Sequence, residues 1–326
     1  MSILARISLL LVVILVSLAA YLRLANSGIG CADWPDCYGR LGEVPVATQA
    51  LADQSLGRQG PYSQRGALAN QPMAWATPAH RLVASTLGLL VIAMTIMSVR
   101  LKRHRVLCLS LLGLTIFLAV LGIRSGGLHN PAVVMGNLAG GFGLLGLLGW
   151  LALGHHRSSV RGSFSVRVWS LAAIIMLVMQ IFLGGLTSAN FAATACNTVP
   201  DCHGSYLPGP ALPRAFDLSR QHQVSSLGVV VGGPEQADIH KLHRLAAVVT
   251  VLLGLITGLA AIRAGRGMTL LGMAIILLVL TEFSVGVAAI LTRLPIGLAV
   301  AHNWLAGLLL LSLLGLTALS RKSEYL

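Results

Sequence analysis

The stretch "AHRLVASTLGLL" at residues 79–90 returns as "LHRLAAVVTVLL" at residues 242–253, an offset of 163 residues (242 − 79). A cysteine pair follows almost the same spacing, because Cys31 and Cys37 recur as Cys196 and Cys202 with an offset of 165 residues (196 − 31). Agreement within two residues over separate landmarks is hard to obtain by chance. The chain therefore reads as two copies of one ancestral unit.

The composition excludes a soluble protein. Of the 326 residues, 56% are hydrophobic and 10% are charged, whereas soluble domains average about 45–50% apolar and about 25% charged residues. The mean hydropathy of +0.81 agrees. Soluble enzyme folds, coiled coils and disordered chains are thereby excluded, and a membrane protein with many spans is predicted.

Eight apolar segments have the length of a membrane span, which requires about 17–25 residues. We predict an all-α polytopic membrane protein whose eight transmembrane helices form two tandem four-helix bundles related by pseudo-twofold symmetry. Because each copy holds an even number of spans, the copies share one orientation and repeat in parallel. Residues 1–160 form the N-terminal half and 161–326 the C-terminal half, with long polar stretches at 26–78 and 189–239. The segments lie near residues 4–24, 79–99, 106–123, 132–153, 168–188, 240–262, 268–290 and 297–319.

The charge distribution sets the expected orientation. Lys and Arg number 23 against 10 Asp and Glu, and they cluster in alternate short connections, such as 100–105 and 157–167. The positive-inside rule then places both termini in the cytoplasm and both long loops outside, in a bacterial-type inner membrane. Membrane lipid is the expected partner of the excess charge. Nucleic acid is not, since no basic run carries interleaved aromatics. A cleaved signal peptide at the N-terminus is disfavoured because the first segment has a counterpart in the fifth.

Both outer loops carry a C-x5-C pattern, "CADWPDC" from Cys31 to Cys37 and "CNTVPDC" from Cys196 to Cys202. Thiols outside the cell normally pair, so we expect a disulfide in each loop. A structural role is favoured over a redox-active one, since the spacing differs from the C-x-x-C of disulfide exchangers.

Three histidines lie a few residues inside predicted spans: His80, His243 and His302. An ionisable residue within a span is by default a functional-site hypothesis. At 1.5 Å per residue, His243 and His302 reach a similar depth of about 5–8 Å. Two imidazoles at one level can clamp a haem iron, and hydrogen bonding at a helix interface is the alternative. Zinc at His240-x-x-His243 is disfavoured for want of further ligands, with His240 expected at the headgroup boundary.

Charged neighbours add three expectations. Arg81 and Arg244 each follow a helix histidine and would either meet haem propionates or anchor their helices at the interface. Glu282, in "EFSVGV", parallels Gln180, in "QIFLGG", because each stands four residues before a glycine. For Glu282 a role in linking helices is favoured over a proton relay.

Together these residues resemble the haem A synthase family, across nearly the whole chain. The most specific pieces are "SGIGCADWPDCYGRL", "AHRLVASTLG", "QIFLGGLTSAN", "LHRLAAVV" and "AHNWLAG". The resemblance implies that His243 and His302 bind a permanent haem b, and that His80 binds the substrate haem O. The implied reaction oxidises the C8 methyl group of haem O to the formyl of haem A for cytochrome oxidase. Implied partners are a haem O synthase (a farnesyltransferase) and an electron donor.

Two positions depart from the family pattern in the N-terminal half. The repeat places Asn137 where a histidine is expected (302 − 165), and Thr77 stands where the family usually has a glutamate. His80, Asn137 and Thr77 are therefore the candidate catalytic set, with His129 as a conceivable substitute ligand. Three hypotheses stay open: a haem A synthase-type oxidoreductase, a non-catalytic b-type haem protein (electron carrier or haem chaperone), and a transporter.

Overall fold

The computed structural model describes residues 2–24, 75–124, 130–153, 163–220, 233–265 and 267–320. Within these residues the chain forms eight long helices and one helical turn, Leu212–Ala215. Cys31 and Cys37 lie outside the described residues, as does His129. In chain order the long helices are α1 (Ser2–Leu24), α2 (Ala76–Leu101), α3 (Arg105–Arg124), α4 (Pro131–Leu153), α5 (Phe164–Ala189), α6 (Pro234–Ala264), α7 (Thr269–Leu291) and α8 (Ile296–Leu319).

All eight helices are long and apolar enough to cross a membrane, which confirms the predicted all-α fold with eight spans. Seven helices begin and end within a few residues of their predicted bounds. The exception is α6, which begins at Pro234, six residues before the apolar segment predicted from residue 240. Its extra turns carry Glu235 and Asp238, so hydropathy alone does not detect them. Pro234 occupies the first helical turn, where a missing N–H costs nothing.

Each set of four helices closes into a ring. Helix α1 packs on α2 and α4, and α3 packs on the same two helices. In the second set α5 packs on α6 and α8, and α7 packs on the same two. Helices α2 and α4 therefore face each other diagonally across the first ring, and α6 and α8 do so across the second.

The two rings meet through α1, α4, α5 and α8. Helix α4 packs on α8, while α1 packs on α8 and α4 packs on α5. If each helix is replaced by its counterpart in the other half, the contact of α1 with α8 becomes the contact of α5 with α4. A pseudo-twofold axis would produce this exchange, and the axis itself stays a prediction.

Large apolar side chains cover the outer surfaces of the helices. Leu82, Leu89, Val106, Ile175 and Leu277 are among those exposed by more than half. In water such a surface would be costly, whereas in a bilayer it faces lipid of the same polarity. Together with the apolar length of the helices, it makes this chain an integral membrane protein.

The connection from α5 to α6 packs against the start of α6. The Asn190 side-chain amide donates to the Ala215 carbonyl at 2.9 Å, and the Gln236 amide donates to the Asn190 carbonyl at 2.7 Å. Glu235 pairs with Arg220 at 2.9 Å. The extra turns of α6 thus hold the loop that bears Cys196 and Cys202, which form a disulfide.

Candidate functional site

The diagonal helices α6 and α8 bring His243 and His302 together inside the second ring. The centroids of the two imidazole rings are 6.4 Å apart, and the ring planes are inclined by 87°. The two residues stand at different positions in their helices, the tenth residue of α6 and the seventh of α8. Helix α6 therefore has three more residues before its histidine than α8 has, and the two rings are nevertheless adjacent.

Glycines on the other two helices make room for these rings. A Cβ atom on Gly184 of α5 would lie 3.1 Å from Cε1 of His243, and one on Gly286 of α7 would lie 3.1 Å from Cε1 of His302. Such contacts are tighter than ordinary van der Waals contact, so each imidazole is packed edge-on against a bare backbone. Each histidine of the pair therefore has a glycine of a neighbouring helix against its ring.

A polar side chain stands four residues before each glycine and contacts the same histidine. Gln180 donates from Nε2 to the carbonyl oxygen of His243 at 3.1 Å. The Oε1 atom of Glu282 lies 3.2 Å from Nδ1 of His302. Glu282 therefore links α7 to α8, and Gln180 links α5 to α6. Gln180 and Glu282 match in the sequence repeat, and each contacts a histidine of the pair.

Three buried polar atoms at the pair lack a hydrogen bond of good geometry among the described atoms. They are Nδ1 of His243, Oε1 of Gln180 and Oε2 of Glu282. The close approach of His302 Nδ1 to Glu282 also falls short of a well-aligned hydrogen bond, so we treat it as a short polar contact. Buried polar atoms are normally satisfied, so their concentration here is typical of a ligand-binding site.

The two imidazoles line a cavity of about 310 Å³ between α5, α6, α7 and α8. This volume is within the range of about 300–1,000 Å³ found for cofactor and ligand sites. Most of the wall is apolar, and Val248, Phe283 and Leu309 are typical of it. The polar part of the wall includes both histidines, Gln180, Glu282, Arg23, Arg244 and Asn303.

The ring separation suits a metal held between the imidazoles. An imidazole nitrogen binds a first-row metal at about 2 Å and lies about 1 Å from its ring centre, so two rings on opposite sides of one ion have centroids about 6 Å apart. Within the described ranges no three His, Cys, Asp or Glu side chains cluster to hold an ion. An ion between two protein ligands needs a chelate for its other positions. A porphyrin supplies four nitrogens in the required plane, and it fits this donor set.

The residues predicted for the N-terminal site lie on the corresponding helices. Thr77 and His80 are half-buried in the first two turns of α2, and Asn137 is half-buried in the second turn of α4. Arg81 is half-buried beside His80. Helices α2 and α4 face each other diagonally, as α6 and α8 do, and they carry His80 and Asn137 as α6 and α8 carry His243 and His302.

Two residues beside His243 have contacts that the sequence did not suggest. Arg244 donates to the carbonyl oxygens of Cys196, Thr198 and Asp201 at 2.7–2.8 Å, which ties the disulfide loop to α6. His240 was expected at the headgroup boundary. Its side chain is buried within the protein, where Nδ1 lies 3.0 Å from the Ala192 carbonyl, and its depth in the membrane stays a prediction.

A family model described as cytochrome oxidase assembly protein (COX15-CtaA) matches residues 2–314. The chain belongs to this family. Its members include proteins named heme A synthase, which confirms the resemblance inferred from the motifs.

Three relatives in this assembly family illustrate the similarity. The heme A synthase of Shewanella oneidensis is 34% identical over 320 residues, which cover 95% of this chain and 93% of that protein. The heme A synthase of Caulobacter vibrioides is 28% identical, with 88% and 86% of the two chains covered. That of Methylobacterium radiotolerans is 27% identical, with 91% and 83% covered.

Sequence reasoning missed three residues of this site. Gly184 entered the sequence analysis only as the glycine four residues after Gln180, although it packs against the imidazole of His243. Arg23 and Asn303 were not singled out, yet Nη2 of Arg23 donates to Oδ1 of Asn303 at 3.3 Å beside His302. One signal was available for Arg23, since an arginine at the predicted outer end of a span runs against the positive-inside rule.

Proposed function

We propose that this protein is a haem A synthase-type membrane oxidoreductase, which oxidises the C8 methyl group of haem O to the formyl group of haem A. The observation that carries the proposal is the pair His243 and His302, whose rings face one cavity at 6.4 Å. Support also comes from the relatives named heme A synthase, which match nearly the full length of the chain.

In this proposal the C-terminal site is a permanent electron-transfer site. His243 and His302 would hold haem b, which would supply reversible one-electron transfer. Glu282 orients His302 through Nδ1, as carboxylates do for metal-binding histidines. Gly184 and Gly286 keep the rings from tilting, because each ring lies against backbone.

The N-terminal site is proposed to bind the substrate, haem O. His80 contributes its one imidazole from α2. Asn137 stands opposite on α4, and an amide is a poor iron ligand, so this site keeps an open side for chemistry. Thr77 lies one turn before His80, where its hydroxyl is available for hydrogen bonding. Arg81 is proposed to meet a propionate of haem O.

The membrane arrangement is part of the same proposal. Residues 1–160 form the substrate half and residues 161–326 the haem b half, in the inner membrane with both termini in the cytoplasm. The loops with Cys31–Cys37 and Cys196–Cys202 then face outward. A haem O synthase would supply haem O to the N-terminal half, and dioxygen would be the oxidant. Each of two successive hydroxylations of the methyl group would use one dioxygen molecule and two electrons from an electron donor and release water, and loss of water from the dihydroxymethyl group would leave the formyl group.

A second candidate is a non-catalytic b-type haem protein, and the N-terminal half favours it. Asn137 and Thr77 replace the histidine and glutamate of the family pattern. The repeat register also places Glu282 opposite residues 117–119 (282 − 165 and 282 − 163), which read Phe-Leu-Ala, and Gln180 opposite Leu15 (180 − 165). The first half therefore lacks the polar supports that flank the second pair of imidazoles.

Product analysis decides between the two candidates. The protein is expressed in cells that make haem O, and haem is extracted from the purified membrane fraction and separated by chromatography. We expect haem A, or its hydroxylated precursor, with the native chain and not with His80→Ala. Haem O that stays unchanged, beside a full complement of haem b, would overturn the enzymatic proposal in favour of the second candidate.

A further inference from the structure

An arginine of the first four helices reaches the cavity of the last four. Arg23 is the penultimate residue of α1, and it lines the cavity between α5, α6, α7 and α8. Its Nη2 donates to Oδ1 of Asn303 at 3.3 Å. The Asn303 amide is fixed from its other side, because Nδ2 donates to the Ala299 carbonyl at 3.0 Å.

The positive charge of Arg23 has no anionic partner among the described residues. The ion pairs found there are Arg220–Glu235, Lys241–Asp238 and His302–Glu282. The Nε atom of Arg23 is buried and makes no hydrogen bond with any described atom. A buried cation without a counter-charge is strongly unfavourable, so this position favours an anion.

The guanidinium of Arg244 lines the same cavity and also has a buried Nε without a hydrogen-bond partner among the described residues. Both terminal nitrogens of Arg244 are used by carbonyl oxygens of the disulfide loop, whereas its Nε is buried and unpaired. Glu282 is the one acid among the described residues that line the cavity, and its Oε1 is directed to His302. Among the described residues, the cavity therefore presents two unused, charged N–H donors and no free acid to meet them.

We propose that Arg23 is an anion-binding residue of the C-terminal cavity, which receives a carboxylate of the bound ligand, with Nε of Arg244 donating to a second carboxylate. The inference rests on the proposed function, in which the ligand is haem b with its two propionates. Charge-assisted hydrogen bonds of this kind are among the strongest available to a protein.

The geometry makes the site a product of both halves. Helix α1 packs directly on α8, and Arg23 with Asn303 is a polar contact across that interface. A ligand carboxylate on Arg23 would tie the first repeat to the haem of the second. At the matching place of the second repeat stands the neutral Ser188 (188 − 23 = 165), so this charge belongs to the first repeat alone.

The test uses the full-length protein purified with its haem. Arg23→Gln keeps a polar side chain and removes the charge, and Arg263→Gln, at the exposed far end of α6, is the matched control. Two readouts are compared: the rate of haem loss to excess apomyoglobin, and the propionate-bending band in the resonance Raman spectrum. We expect Arg23→Gln to keep the low-spin spectrum, lose haem about ten- to a hundredfold faster and shift the propionate band.

Each other outcome is decisive. Faster haem loss with an unchanged propionate band in Arg23→Gln would assign Arg23 a merely structural role and overturn the inference. The inference would also be overturned if the native protein bound a free or lipid phosphate without a change in its propionate band. If Arg23→Gln does not accumulate, Arg23→Lys serves instead, because an ammonium cannot repeat the forked geometry of a guanidinium and must shift the band. A native protein without low-spin haem b would instead overturn the proposed function.

Discussion

Gly184 stands against one edge of the His243 imidazole, so closely that a Cβ atom would come within 3.1 Å of Cε1 and 3.7 Å of both ring nitrogens. Gly184→Ala should therefore rotate or displace the ring, although alanine favours the helical backbone itself by about 1 kcal/mol. We expect a reduced haem content and a high-spin fraction in the absorption spectrum, with the same effect from Gly286→Ala. Overpacking of this kind costs about 1–3 kcal/mol.

The control for this prediction is Gly146→Ala in α4, where an added Cβ would meet nothing within 4 Å. That variant should keep the native spectrum and equal or exceed the native chain in thermal stability. Normal haem content and spin state in both Gly184→Ala and Gly286→Ala would show that the glycines do not define the ring positions.

Glu282 and Gln180 each contact one histidine of the pair, but Glu282 has an acidic side chain and Gln180 a neutral one. The carboxylate faces Nδ1 of His302, whereas Gln180 meets only the backbone carbonyl of His243. An acceptor on the free ring nitrogen raises the basicity of a metal-bound imidazole and favours the oxidised metal. Glu282→Gln should raise the midpoint potential of the haem by about 50 mV, or about 1 kcal/mol for one electron.

Redox titration of the purified protein measures this shift. Gln180→Leu is the matched comparison, since it removes a contact of the other support without a change of charge. We expect its midpoint to remain near the native value. Equal shifts in both variants would mean that helix linkage, and not the charge of Glu282, sets the potential.

The repeat register aligns Asn137 of α4 with His302 of α8 (302 − 165 = 137). Asn137→His should give His80 a partner across the ring and create a second low-spin haem site. The haem-to-protein ratio, measured by the pyridine haemochrome assay, should rise towards twice the native value. The gain should disappear in the double variant that also carries His80→Ala. A ratio that stays at the native value in the single variant Asn137→His, where His80 is intact, would contradict the equivalence of the two rings.

The sequence predicted the spans well because hydropathy is a local property. Eight apolar segments became eight helices, and only the start of α6 was misplaced, since Glu235 and Asp238 interrupt the apolar pattern while they bind the adjoining loop. The pairing of His243 with His302 was also within reach. Both stand near the start of an apolar segment that runs in the same predicted direction, so a shared depth followed from counting residues.

The remaining parts of the site depend on packing between helices, which no local pattern encodes. Gly184 looked like any small residue at a helix interface, and its contact with an imidazole requires the positions of α5 and α6. Arg23 lies 280 residues from Asn303 in the chain, and only the contact of α1 with α8 brings them together. The repeat directed attention to matched residues, whereas Arg23 has an unmatched charge.

The central claim is that His243 and His302 hold one haem between them, and the absorption spectrum of histidine variants tests it most directly. His243→Ala and His302→Ala are purified beside His203→Ala, which alters an exposed histidine in the connection from α5 to α6. Size-exclusion chromatography verifies that each variant is folded. The account predicts that the first two variants lose the low-spin b-type spectrum, while His203→Ala keeps it. A native low-spin spectrum in both His243→Ala and His302→Ala would contradict the claim.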